Sequence, residues 1–291
     1  MMRTVHTIAE LREQIGQWRR AGERIALVPT MGNLHRGHLR LVEHARQQAQ
    51  RVVASVFVNP LQFGPNEDFG RYPRTLAQDQ AQLTAAGCDL LFAPDEREVY
   101  PRGRDALCSV VVPASLDILE GECRPGHFNG VATVVSILFH LTQPDVALFG
   151  QKDYQQLLVI RRMVADLHLP IEIVGVATER EADGLAMSSR NQYLTTEQRT
   201  RAASLHAALS LVAAGLRSGR RDFEKIAEDG VKMLVDSEFK PQYLEIRRPD
   251  LAQPTATDGQ FVVLAAAVLG QTRLIDNLSV ECVDSANVTG V

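Results

Sequence analysis

The chain has 291 residues, longer than one compact core usually requires, and at about one domain per 150 residues it reads as two domains. Hydrophobic residues make up 45% and charged residues 23%, which supplies a sizeable core and lacks the composition of a disordered chain. A net charge of −4, with basic residues scattered rather than gathered in a stripe, argues against a nucleic-acid or anionic-membrane surface.

The start, from Met1 to His6, lacks the apolar run of a signal peptide, and the longest apolar stretch, Phe261 to Leu269, is too short to span a bilayer. A cytoplasmic location is expected. Cys88, Cys108, Cys123 and Cys282 are widely spaced with no C-x-x-C pair, so they are read as reduced thiols rather than zinc ligands or a disulfide framework.

The first apolar run, Ile25 to Val28, ends at Pro29 and a Gly-containing turn, after which Leu39, Val42 and Ala45 carry a helical period. A β-branched run, Val52 to Val58, follows, then a helical segment from Thr75 to Ala86 and a strand at Leu90 to Phe92. Further strands are predicted at Ser109 to Val112, Val146 to Phe149 and Ile171 to Val176, with helices at Val131 to Leu141 and Tyr154 to Asp166. Alternating β and α segments imply an α/β fold, a Rossmann-like doubly wound parallel sheet.

The pattern changes after Gly184. Helices are predicted at Thr196 to Arg217 and Asp222 to Phe239, then strands at Tyr243 to Ile246 and Phe261 to Leu269, which describes a smaller α+β domain. The charged segment Thr178 to Gly184 breaks the apolar pattern as linkers do, so the boundary is placed between Ala177 and Ser188, giving domains 1–180 and 181–291.

The sharpest chemical signal is Thr30-Met-Gly-Asn-Leu-His-Arg-Gly-His38, at the end of the first strand and the start of its helix, where parallel sheets bind ligands. Backbone amides there are expected to face an anion, with Gly32 and Gly37 permitting close approach and the helix N-terminus adding its positive end. His35 and His38, three residues apart, share one face of a helical turn and suit phosphate oxygens that gain charge as pyrophosphate departs. A capping or surface pair and a zinc site are the alternatives, the latter without an H-E-x-x-H pattern or a third ligand.

Phe149-Gly-Gln-Lys-Asp153 occupies a second strand end, where Lys152 would project a cation towards a triphosphate; a solvated lysine is the plain alternative. Met187-Ser-Ser-Arg-Asn191 offers two hydroxyls and a guanidinium at the domain junction, suited to phosphate oxygens on a closing lid or to a polar turn with Ser188 or Ser189 as a local cap. Gln62, in Val58-Asn-Pro-Leu-Gln-Phe-Gly64, and Gln156 could hydrogen-bond hydroxyls and a carboxylate, or serve structure, and Asn59 is read the same way. Arg124-Pro-Gly-His127 suits anion steering and a surface loop equally. Walker A, G-x-G-x-x-G and G-x-S-x-G patterns are lacking, so direct displacement at phosphorus, assisted by histidines, lysine, arginine and Mg²⁺, is favoured over a covalent enzyme intermediate.

Taken together, Met31 to His38, Val58 to Phe63, Tyr72-Pro-Arg74, His127-Phe128, Gly150 to Gln156 and Asp183 to Asn191 resemble, in order, the motifs of the pantothenate synthetase family within the H-x-G-H nucleotidyltransferases. The resemblance is densest from Leu27 to Leu194. It implies a Rossmann-like ATP domain, a small C-terminal lid, a homodimer, and a two-step ligation of pantoate to β-alanine through a pantoyl-adenylate, with ATP as substrate and Mg²⁺ present. Neither nucleic acid nor membrane is an expected partner.

By that resemblance the ATP site comprises Met31, Gly32, Asn33, Leu34, His35, Arg36, Gly37 and His38 from the first motif, with His38 the residue usually designated catalytic. Gly150, Gln151, Lys152 and Asp153 would follow from the second strand end, and Met187, Ser188, Ser189 and Arg190 from the lid; Lys152, Ser188, Ser189 and Arg190 would hold the phosphates in the transition state. Gln62 and Gln156 would hold pantoate, with Gln62 also near the β-alanine position and Asn59, Asp79, Arg124 and His127 supporting the pocket; Asp79 is also the candidate metal ligand. Glu179 stands where an apolar residue is expected, at a backbone contact to adenine.

Overall fold

The computed structural model describes residues 2–65 and 67–282, and the chain divides into two compact units, Met1–Glu179 and Arg180–Val291. In the first unit the elements run β1 (Arg3–Val5), α1 (Ile8–Arg20), β2 (Ile25–Thr30), α2 (Arg36–Gln48), β3 (Arg51–Val56), α3 (Leu76–Ala86) and β4 (Leu90–Phe92). They continue as α4 (Glu96–Val99), α5 (Glu120–Cys123), α6 (His127–Thr142), β5 (Val146–Gly150), α7 (Tyr154–Asp166) and β6 (Glu172–Val176).

Alternate residues of the same strands feed two different cores. Ile25 and Leu27 of β2, Val53 of β3, and Ala147 and Phe149 of β5 pack with α1, α6 and α7. Ala26 and Val28, Val52 and Ala54, and Val146 and Leu148 pack with α2 and the region of α3. A sheet covered on both faces requires strands that are apolar throughout, which is why these segments read as continuous runs rather than alternating ones. The six strands lie in the order β1-β4-β3-β2-β5-β6, all pairings parallel. From β2 the chain winds one way to β3 and β4, then crosses back to β5 and β6, so the switch point of the sheet lies between the C-terminal ends of β2 and β5.

Several elements depart from the sequence expectation. The short edge strand β1 and the helix α1 precede the first predicted strand; α1 is closed by a capping box of Thr7 and Glu10 and buries Leu11, Ile15 and Trp18. Ser109 to Val112 forms no strand. Its amides go instead to side chains of α6, Val110 N donating to Thr133 Oγ1 (3.0 Å) and Val112 N to Asn129 Oδ1 (2.8 Å), which satisfies the backbone without a neighbouring strand. Helix α6 begins four residues earlier than predicted, entered through Gly126 in the left-handed region (φ 79°).

The second unit has α8 (Thr196–Ala202), α9 (Ser204–Arg217), α10 (Phe223–Asp236), β7 (Phe239–Arg247), β8 (Gln260–Leu269) and β9 (Thr272–Glu281). The single helix predicted over Thr196 to Arg217 is thus two, and Phe239 opens β7 rather than ending a helix. The strand β9, unpredicted, mixes Arg273, Asp276 and Asn277 among its apolar positions. The three strands form an antiparallel sheet in the order β7-β8-β9, and α9 and α10 bury Leu209, Val212, Leu216, Ile226 and Leu234 in one core with it. No helix among the described residues is long and apolar enough to cross a membrane.

Candidate active site

The loop after β2 is held from below. Thr30 Oγ1 donates to Ser55 O (2.7 Å) and accepts from Gly32 N (3.2 Å), and the chain then passes through two left-handed residues, Gly32 (φ 81°) and Asn33 (φ 50°). The carboxylate of Asp79, reaching up from α3, accepts the amides of Asn33 (Oδ2, 3.1 Å) and Leu34 (Oδ1, 2.8 Å) and the hydroxyl of Thr75. A Cβ on Gly32 would stand 3.0 Å from both Asp79 Oδ2 and Val56 Cγ1, so the crowding adds to the preference for glycine that φ imposes. Asp79, expected as a metal ligand, is a buried clasp whose two oxygens are already engaged, and among the described residues no group of three or more His, Cys, Asp or Glu could hold a metal ion.

At the end of the loop His35 is the N-cap of α2. Its Nδ1 accepts from Gly37 N (3.2 Å), while Nδ1 of His38 accepts from His35 N (3.3 Å), and the two rings lie 4.1 Å apart between centroids. A ring nitrogen that accepts an N–H carries no proton, so each neutral ring bears its proton on Nε2. Both rings are half-buried. Lost hydration is the largest cause that brings His35 down to about 4 and His38 down to about 3; the Lys152 charge adds to it at His35, where Asp153 opposes the shift, and His35 and Lys152 add to it at His38.

This arrangement corrects one expectation. The amides of Gly32, Asn33, Leu34, His35 and Gly37 are turned onto Thr30, Asp79 and the two imidazoles, so they do not form an open anion nest. Each neutral ring carries an Nε2–H donor, and the charge of Lys152, from the end of β5, reaches both rings. Beside it, Gly150 has open space where a Cβ would stand, and the Gln151 amide donates to Val176 O (2.8 Å). Asp153 is exposed at the start of α7. Glu179, at the end of this unit, pairs with Arg36 on the first residue of α2, which accounts for a carboxylate at that position.

A second cluster surrounds Gln62, in the 3₁₀ turn Pro60–Gln62. Gln62 Nε2 lies 3.2 Å from Met31 Sδ, joining this turn to the β2 loop. Arg124 and His127, expected to meet substrate, are occupied with the main chain here. Arg124 pairs through two nitrogens with Glu67 and donates to Gln62 O (3.2 Å), and His127 Nδ1 donates to the same carbonyl (2.7 Å) with its Nε2 against Arg124 NH1 (3.1 Å). Burial and the adjacent guanidinium push His127 down to about 4. Asn59, also buried, is tied to Gln62, Leu61, Gly130 and Tyr100. The turn rests directly on α6, where a Cβ on Gly130 would overlap the carbonyl of Leu61.

Gln155 turns inward and is saturated by Glu120 N, Leu116 O and Ile118 O, leaving its neighbour Gln156 half-buried on α7. In the second unit Met187, Ser188, Ser189 and Arg190 are all half-buried; Ser188 Oγ caps the 3₁₀ turn Ser189–Tyr193 by accepting from Arg190 N (3.3 Å). The preceding hairpin is fixed by a bidentate pair, Arg180 to the buried Asp276 (2.6 and 3.0 Å). Glu67 and Tyr100 have no local spacing to mark them in the sequence, because their partners Arg124 and Asn59 are distant in the chain.

Known proteins resemble this chain along nearly its whole length. The family described as Pantoate-beta-alanine ligase matches residues 3–279. The pantothenate synthetase of Shewanella amazonensis is 59% identical over 278 residues, covering 95% of this chain and 99% of its own, and that of Thioalkalivibrio sulfidiphilus is 57% identical over 281 residues, covering 96% and 98%. The crystal structure of pantothenate synthetase from Thermus thermophilus is similar with a TM-score of 0.88 at 50% identity, covering 95% of this chain and 99% of that one. The pantoate-beta-alanine ligase of Francisella tularensis, solved with β-γ ATP and β-alanine, has a TM-score of 0.79 at 33% identity, covering 96% and 97%. A match of this extent, on a sheet whose switch point carries the paired histidines, places the chain in the pantoate-beta-alanine ligase family.

Proposed function

We propose that this chain condenses pantoate with β-alanine at the expense of ATP, through a pantoyl-adenylate, and that His35, His38 and Lys152 stabilise the departing pyrophosphate. The observation that carries the assignment of roles is the pair of neutral imidazoles presenting Nε2–H beside a lysine at the switch point. A carboxylate oxygen of pantoate attacks the α-phosphorus, the bond from that phosphorus to the bridging oxygen breaks, and its electron pair leaves with pyrophosphate. The nucleophile is already an anion, so no base is required; the need is for alignment and for donors at oxygens that gain charge. The β-alanine amine then attacks the acyl carbon, AMP leaves with the acyl C–O electron pair, and the amine loses a proton.

In this reading Gln62 and Gln156 hold pantoate, the loop from Met31 to His38 and the Gly150–Asp153 turn embrace ATP, and Ser188, Ser189 and Arg190 of a lid complete the phosphate site. Mg²⁺ would be carried on the triphosphate, as this ion commonly is, rather than in a cage of protein ligands. A homodimer and a cytoplasmic location belong to the same proposal. The test is exchange of labelled pyrophosphate into ATP, with and without pantoate, followed by AMP release on adding β-alanine. Pantoate-dependent exchange is expected; folded protein that binds ATP yet shows no exchange would overturn the reading.

A further inference from the structure

The atoms around Asn59 leave one solution for the side-chain amides of Asn59 and Gln62. Leu61 N–H donates to one terminal atom of the Asn59 side chain (3.2 Å), so that atom is Oδ1; the other lies 3.1 Å from Gly130 O, a pure acceptor, so it is Nδ2. Two main-chain groups therefore settle an orientation that the side chain's shape alone would leave open. The Tyr100 hydroxyl, 2.7 Å from Oδ1, must donate to it. Nδ2 also reaches a terminal atom of Gln62 at 3.1 Å, which must be Oε1, and the Gln62 NH₂ is thereby turned towards Met31.

From this we infer that Tyr100 is a positioning residue: its hydroxyl adds a third bond to the two main-chain bonds that hold Asn59, and through Asn59 it steadies the amide of Gln62 so that a donor, not an acceptor, faces the bound acid. The inference rests on Gln62 holding pantoate as proposed above, and it narrows that role. Gln62 recognises an acceptor, a carboxylate or hydroxyl oxygen, because its own oxygen is already occupied by Asn59. Tyr100 and Asn59 are both buried, and Tyr100 packs edge-on to Phe57, with ring centroids 5.8 Å apart. Burial raises the phenol above its usual range, with the Glu96 charge adding to the effect, so the hydroxyl keeps the proton it donates.

The experiment is a double-mutant cycle with Tyr100→Phe and Gln62→Ala, read as KM for pantoate and for ATP separately. Phenylalanine keeps the packing against Phe57 and removes only the donor. We expect KM for pantoate to rise about five-fold in Tyr100→Phe, the factor of one neutral hydrogen bond, with KM for ATP unchanged, and no additional rise when Tyr100→Phe is placed on Gln62→Ala. An unchanged pantoate KM, or a change that persists in full on the Gln62→Ala background, would overturn the positioning role. If Tyr100→Phe gives too little folded protein, Asn59→Ala, which removes the donor to Gln62, carries the same expectations. Wild-type protein without pantoate-dependent exchange would sink the functional reading instead, so the two failures are separable.

Discussion

His38 turns Nδ1 back onto the main-chain amide of His35, 3.3 Å away, so the ring at the heart of the site also closes the first turn of its own helix. The tautomer follows from that bond rather than from the substrate. Nitrogen NMR at pH 7 should show His35 and His38 neutral with the proton on Nε2, and His127, whose Nδ1 donates to Gln62 O, neutral with the opposite tautomer. Imidazolium shifts for His38 would contradict the geometry.

Replacing His38 with alanine removes the donor proposed to meet developing charge as well as a cap. Pyrophosphate exchange should fall by about 100-fold or more, the scale of losing one oxyanion-type donor. Stability should fall by only about 1 kcal/mol, the usual cost of a lost cap. A fall in exchange below ten-fold in folded protein would mean that His38 does not meet the transition state.

All three histidines are held uncharged by the fold, His35 and His127 with pKa pushed down to about 4 and His38 to about 3. In the unfolded chain each titrates near 6.5. The unfolded state therefore binds more protons between these limits, so stability contributed by the three is complete above about pH 6.5 and is lost as pH falls towards 4 and then 3. Urea midpoints between pH 7.5 and 4.5 should fall, and His127→Gln should make the slope shallower. A steeper slope would refute the assignment.

Asp79→Asn presents an N–H₂ to a pair of amides that need an acceptor. The expected loss is about 1–3 kcal/mol of stability, the cost of an unsatisfied buried donor, together with a higher KM for ATP. The Mg²⁺ concentration giving half-maximal rate should not move. If it rises while stability stays constant, Asp79 is a metal ligand after all.

In the second unit, Asp276→Ala leaves the guanidinium of Arg180 without its bidentate partner beside a buried strand. Breaking such a pair from one side costs roughly 3–5 kcal/mol, whereas removing both charges together costs far less. Denaturant titration of Asp276→Ala and of a double Arg180→Leu, Asp276→Leu variant should show this order; equal losses would show that packing, not charge, holds the hairpin.

Much of the architecture was legible because both faces of the parallel sheet are buried, which writes β2, β3 and β5 as uninterrupted apolar runs. The segment Ser109 to Val112 carried the same composition and formed no strand, since Thr133 and Asn129 of α6 bond its amides and no local pattern announces partners so far along the chain. The position of the candidate site was legible for a related reason. His35, His38 and Lys152 sit at strand ends, which periodicity locates. The roles of Asp79, Arg124 and His127 were not, because they depend on which main-chain groups fold back to meet them, and a buried carboxylate holding amides looks, in sequence, like one awaiting a metal.

Gly130 lays α6 against the 3₁₀ turn with no side chain between the two backbones. In the pantoate site proposed above, that wall is main chain on main chain, braced by the Asn59 bond to Gly130 O (3.1 Å), and so has no rotamer to change. An acid bulkier than the natural substrate cannot be admitted by trimming residues on this side. Selection for altered acyl specificity should collect its substitutions around Met31 and Gln156, and leave residue 130 untouched.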